Sequence, residues 1–236
     1  MENEFNLSTP ASSAPPSERL EFIKNTYVHL GYSILAFIVL ESFLLSLDSV
    51  HNIVSAMTGK KWSWPVVLIL FMGVSWIADH WARSDVSKET QYAGLGLYIV
   101  AEAIVFVPLM YQATTFVPNL IAPAGLITLL LVLGLSFTVY TTETDFSILR
   151  PVLVIGSFVS VGLIISSIIF GFSLGILFSG AMILLASASI LYTTHSIQNE
   201  YRTDQYVAAS LHLFAAIALL FWYVLKFLIQ LNNNDE

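Results

Sequence analysis

Seven consecutive stretches of mostly apolar residues, separated by short polar breaks, constrain this chain more than any other feature of its sequence. They are Val28–Leu47, Pro65–Ala82, Tyr92–Ala113, Leu120–Thr141, Pro151–Gly171, Ser173–His195 and Tyr206–Ile229. About 20 apolar residues in an α-helix cross the hydrocarbon core of a bilayer, which is roughly 30 Å thick. Each stretch is apolar nearly all the way round, as a helix in contact with lipid is. No stretch alternates with period two, which argues against a membrane β-barrel. Composition agrees: 56 % of the residues are hydrophobic and 11 % charged, where soluble domains carry about 25 % charged residues. The sequence therefore predicts an all-α bundle of seven transmembrane helices, with the lipid bilayer as its first partner.

Charge and cysteine content narrow the chemistry. Nine Lys and Arg stand against sixteen Asp and Glu, a formal net charge of −7, so no cationic surplus exists to neutralise the phosphates of a nucleic acid. With no cysteine in the chain, disulfides, thiolate nucleophiles and Cys-ligated metals are excluded. No cofactor motif is present. Three regions are expected: a disordered polar tail at residues 1–18, a membrane domain at 19–231, and a polar C-terminal tail at 232–236. The tail has the Pro/Ser-rich run Thr9–Pro16, which has nothing to bury. Ser17 is the expected N-cap of the first helix, which begins at the membrane surface. Lys and Arg placement sets the orientation. Arg19, Lys24, Arg83, Lys88, Arg150 and Arg202 fall on one side, Lys60, Lys61 and Lys226 on the other. That asymmetry puts the N-terminus in the cytoplasm. The fifth and sixth stretches are joined at Gly171-Phe172, which makes them antiparallel neighbours. They carry small residues at four-residue spacing: Gly156 with Ser160, Gly162 with Ser166, Gly171 with Gly175. Close helix packing is the ordinary use of such faces.

Ionisable residues inside the spans carry the functional information, because each costs about 2.5–3.5 kcal/mol at a helix centre on insertion scales and so faces protein or water. They are Glu41, Asp79, His80, Glu102, His195 and His212. Asp79, His80, His195 and His212 fall at one depth, on the side of the N-terminus, and predict a water-accessible vestibule. Trp62, Trp64, Tyr111, Trp222 and Tyr223 read as interface anchors, and Trp76 and Trp81 bracket Asp79. Three enzymatic or photochemical chemistries would use residues of these types. A retinal protein needs a lysine in mid-helix seven, whereas Lys226 sits near the end of that helix. A rhomboid-type protease needs Gly-x-Ser-Gly, whereas Ser179 stands in Leu177-Phe178-Ser179-Gly180. A zinc metallohydrolase could use Asp79, His80, His195 and His212, although no two of these histidines share an i, i+4 spacing, and whether any metal binds is left open.

Four segments carry a resemblance: Gln91-Tyr92-Ala93-Gly94-Leu95 leading to Glu102; Thr141-Thr142-Glu143-Thr144-Asp145-Phe146-Ser147-Ile148-Leu149; Ile190-Leu191-Tyr192-Thr193-Thr194-His195; and Asp204-Gln205-Tyr206-Val207-Ala208-Ala209-Ser210-Leu211. In this order, on seven helices, they resemble the Bax inhibitor-1 family, its bacterial members above all, from Arg19 to Leu231. The resemblance implies a seven-helix bundle with helix seven central, sited in a bacterial plasma membrane. It also implies a pH-sensitive calcium leak, a role in stress survival, or association with a membrane-bound protease. The leak would depend on two aspartates that share a proton, one on helix six and one on helix seven. Thr193 and Ala216 occupy those places here, while Glu102 matches a glutamate of helix three. The gate or pore candidates are therefore Asp79, Glu102, Thr193, His195, His212 and Ala216. Either His195 and His212 take over the switch, or the pore is closed and the protein acts on the turnover of other membrane proteins through binding. The second reading is preferred, since calcium selects oxygen ligands over imidazole. No catalysis is expected.

Overall fold

The computed structural model describes residues 10–83 and 87–234. Eight α-helices form among them: α1 Pro16–Leu45, α2 Val50–Thr58, α3 Ser63–Ala82, α4 Lys88–Phe116, α5 Ile121–Thr141, α6 Leu149–Phe170, α7 Ile176–Asn199 and α8 Tyr206–Asn234. All but α2 are long and apolar enough to cross a membrane, and the described residues contain no strand. The all-α, seven-span reading holds. The short α2 lies in the Asp48–Trp64 break, where the sequence predicts only a polar connection. It packs on α3 and α4, burying Met57 and placing His51 Nδ1 3.3 Å from the Tyr111 hydroxyl.

Local signals set the helix ends. Pro16 opens α1, where its fixed φ suits the first turn and its missing N–H is no loss. The helix thus begins one residue before Ser17, and Ser17 is not its cap. Ser87 caps α4 by accepting from the Thr90 N–H at 3.2 Å. Gly171, at φ 75°, ends α6 in the left-handed conformation that a side chain disfavours. A five-residue connection from Gly171 to Gly175 follows, longer than the near-absent loop expected, and α6 and α7 are neighbours as expected. Of the small residues foreseen there, Gly156 lies against Leu185 and Ser160 Oγ lies 2.9 Å from Met182 Sδ. Gly162 and Gly175 face open space instead.

Helix α8 is the hub. It packs on α1, α3, α4, α5 and α7 and buries Val207, Leu211, Phe214, Leu220 and Leu225. Helix α4 is the second core element; α6, by contrast, rests mainly on α7. The termini differ from the sequence expectation. Among the expected tail residues, Ala11 is fully buried, its N–H donating to the Tyr201 carbonyl at 2.8 Å. Ser12 Oγ donates to the Asn199 carbonyl at 3.0 Å. The end of α7 leaves carbonyls without helical partners, and this segment supplies donors to that region, so residues 10–18 are not a free tail. Residues 1–9 of that tail lie outside the described residues. At the other end, α8 continues through Asn232 and Asn233, which had been assigned to the C-terminal tail; residues 235–236 are outside the described set.

Candidate functional site

Where α3 ends and α8 begins, four side chains meet. Asp79 and Arg83 are one turn apart on α3, so they share a face, and Arg83 Nε–H donates to Asp79 Oδ1 at 2.9 Å. His212 approaches from α8, its Nε2 lying 2.7 Å from Asp79 Oδ1 and 3.0 Å from Arg83 Nη2. Its Nδ1 lies 2.6 Å from the Ala208 carbonyl and 2.9 Å from the Tyr201 hydroxyl. Depending on the tautomer, Nδ1 donates to the Ala208 carbonyl or accepts from the Tyr201 hydroxyl. Nε2 then has two possible partners. Unprotonated, it accepts from Arg83 Nη2; protonated, it donates to Asp79. The cluster thus offers alternative hydrogen-bond arrangements around one imidazole.

The flanking charges are set by the same contacts. Burial pushes the Tyr201 phenol up to about 12, so it stays neutral. Burial works against the Arg83 charge, but the bonds to Asp79 and Tyr201 outweigh it and raise Arg83 above its ordinary value. Beside this cluster opens a pocket of about 330 Å³, lined by Arg83, Arg150, Tyr192, Thr193, Ser196, Glu200, Tyr201, Gln205 and His212.

The remaining sequence candidates are dispersed. His195 sits on α7 with Nε2 3.4 Å from Asp145 Oδ1 and its ring edge-on to Phe146. Asp145 is held below the usual carboxylate range, chiefly by the Ser147 backbone N–H. His80 is exposed and stacks on Trp76. Of the four residues proposed as zinc ligands, only Asp79 and His212 come together, and no group of three or more metal-binding side chains exists among the described residues. Thr193 is buried and lines the pocket; Ala216 is buried one turn beyond His212 on α8.

Glu102 belongs to a second pocket, of about 340 Å³, lined also by Trp64, Phe106, Leu219, Trp222, Tyr223 and Lys226. One Glu102 oxygen is buried without a partner, and the carboxyl is hydrogen-bonded by Tyr98. Along α8 the first pocket reaches His212 and the second begins at Leu219, about 10 Å apart at 1.5 Å per residue. Phe214 and Ala216 lie between them, with Phe214 packed edge-on against Phe37 and Tyr98. Glu102 and the Asp79–His212 pair thus belong to different pockets, and the vestibule foreseen at one depth contains only part of the expected set. Tyr223, foreseen as an interface anchor, is buried in the bundle. Lys226, foreseen as snorkelling, lines the second pocket. Sequence reasoning used Arg83 only as a topology marker, although its position four residues after Asp79 was a readable signal of pairing. Tyr201 reaches the cluster from a connection, and nothing in its local sequence announced that.

The sequence pattern of a family described as Inhibitor of apoptosis-promoting Bax1 matches residues 19–234. No curated protein matches the chain.

Proposed function

This chain belongs to the Bax inhibitor-1 family, and from that premise we propose that it is a non-conducting, non-catalytic member that works by contact with other membrane proteins. It would influence their turnover or the survival of stress. It is an integral multi-pass membrane protein; we place it in a bacterial plasma membrane on its resemblance to bacterial members, with its N-terminus in the cytoplasm on the Lys and Arg asymmetry.

One observation carries the reading. At Thr193 and Ala216, where the family resemblance would put the paired aspartates of a cation gate, stand a buried hydroxyl and a buried methyl. A calcium pathway needs several oxygen ligands, carboxylates among them. Here the pocket on the Thr193 side is lined by two guanidinium groups and one carboxylate, and Glu102 lines a different pocket. Purified protein in dye-loaded proteoliposomes tests this: calcium influx between pH 5 and 8 should equal that of empty vesicles. The partner role is read from the half-lives of membrane proteins in cells with and without the chain, which should differ.

The second reading is a pH-sensitive cation leak with an altered gate, and the Asp79–His212 contact favours it. In that case vesicle influx exceeds the empty control and changes with pH. Asp79→Asn and His212→Ala would then abolish the pH response, and the closed-pore reading would fall.

A further inference from the structure

Arg150 occupies the first turn of α6, a helix with no acid in that turn. A cation there faces the positive end of the helix dipole, and its guanidinium has no ion-pair or hydrogen-bond partner among the described residues. An arginine so placed is free to meet an anion that enters the pocket it lines. Of the other residues around the same pocket, Arg83, Tyr192, Thr193, Ser196, Tyr201, Gln205 and His212 bear groups that can donate hydrogen bonds, and Glu200 bears the one carboxylate. Ser196 is 3 % exposed, and its hydroxyl has no partner. Leaving a buried hydroxyl unpaired costs free energy unless a ligand or water satisfies it.

We propose that this pocket, bounded by the ends of α3 and α7, the beginnings of α6 and α8, and the connection from Glu200 to Gln205, binds a phosphate oxyanion. Arg150 supplies the planar fork that matches phosphate two-to-two. Ser196, Thr193 and Tyr192 supply neutral donors, and Arg83, neutralised in part by Asp79, supplies further N–H groups. The volume, about 330 Å³, is at the small end of ligand pockets and suits a phosphate group with little attached. Glu200 limits the site to one anionic group, since a second would meet its carboxylate. The four helix ends stand at one face of the bundle, so the phosphate can be free in water or be the headgroup of a lipid.

The test uses the full-length protein in maltoside detergent micelles, which carry no phosphate, titrated calorimetrically with inorganic phosphate. A parallel micelle preparation has phosphatidylglycerol added as the one phosphate-bearing lipid and is read by native mass spectrometry for retained lipid. Phosphate binding in the first arm identifies a free oxyanion; retention of phosphatidylglycerol without phosphate binding identifies a headgroup. In whichever arm responds, Arg150→Gln should weaken binding at least tenfold and Ser196→Ala about threefold. Lys60→Gln, at the opposite end of α3, should change nothing. Arg150 is exposed, so its replacement leaves the fold intact, and unchanged melting of that variant verifies this. Absence of binding in both arms overturns the proposal. Equal affinity, or equal lipid retention, in the wild type and Arg150→Gln overturns it as well.

Discussion

Helices α4 and α6 invert the rule that holds for soluble proteins. The apolar stretch of α6 is the more hydrophobic of the two, yet only 6 % of it is buried, against 61 % for α4. In water, hydrophobicity drives a helix inward. In lipid, tails and leucines are equally apolar, so what draws a helix to the centre is close backbone approach and the need to shelter polar groups. Helix α4 has both. Gly94 lies against the backbone of α3, and Gln91 and Glu102 are buried. Helix α6 offers Gly156 to one leucine of α7 and turns Val152, Ile155, Phe158 and Val159 outward.

The contrast is broken most directly by adding one methyl group to each helix. A Cβ at Gly94 would stand 2.5 Å from the Ala78 carbonyl oxygen and 2.6 Å from the Ala82 nitrogen, and backbone cannot yield as a side chain can. Gly94→Ala is expected to destabilise by about 3 kcal/mol, the upper range of overpacking. Gly162→Ala, which meets nothing within 4 Å, should be neutral or stabilise by up to about 1 kcal/mol through helix propensity. Melting in detergent measures both, and equal shifts would dissolve the distinction. A smaller effect compares two phenylalanines. Phe106 on α4 is 1 % exposed and packs on Phe37 and Trp222, whereas Phe158 on α6 is 77 % exposed. Truncating Phe106 to Ala should cost about 2 kcal/mol, less than in a soluble core, because the cavity penalty remains while the transfer from water drops out. Phe158→Ala should fall within about 0.5 kcal/mol of wild type.

The smallest effect lies in the turn before α6, at Asp145. The carboxyl of Asp145 titrates lower in the folded chain than in the unfolded one, so its contribution is complete above the unfolded value. It disappears as pH falls through the folded value. Asp145→Asn should flatten the acid limb of the stability–pH curve slightly and leave neutral melting little changed. A steep remaining acid limb would assign the transition to other carboxylates.

Much of this architecture could be read from residue order. Seven apolar lengths, their breaks and the antiparallel α6–α7 pair follow from what a bilayer demands of a backbone. The grouping of ionisable residues followed less well, because depth along a helix is legible while rotation about its axis is not when the helix is apolar all round. Asp79 and His80 are adjacent in sequence; one meets His212, the other faces outward against Trp76. Helix α2 was hidden by its length, and Tyr201 by its place in a connection whose conformation depends on what docks there.

That docking has a practical corollary. The segment around Ala11 and Ser12 is stitched to the carbonyls of Tyr201 and Asn199, and the Tyr201 hydroxyl in turn touches His212. An affinity handle fused directly before Ala11 would therefore pull on a segment two contacts away from that imidazole. Carrying any such handle at the carboxyl end, beyond the opposite face of the bundle, keeps the imidazole as the native chain holds it.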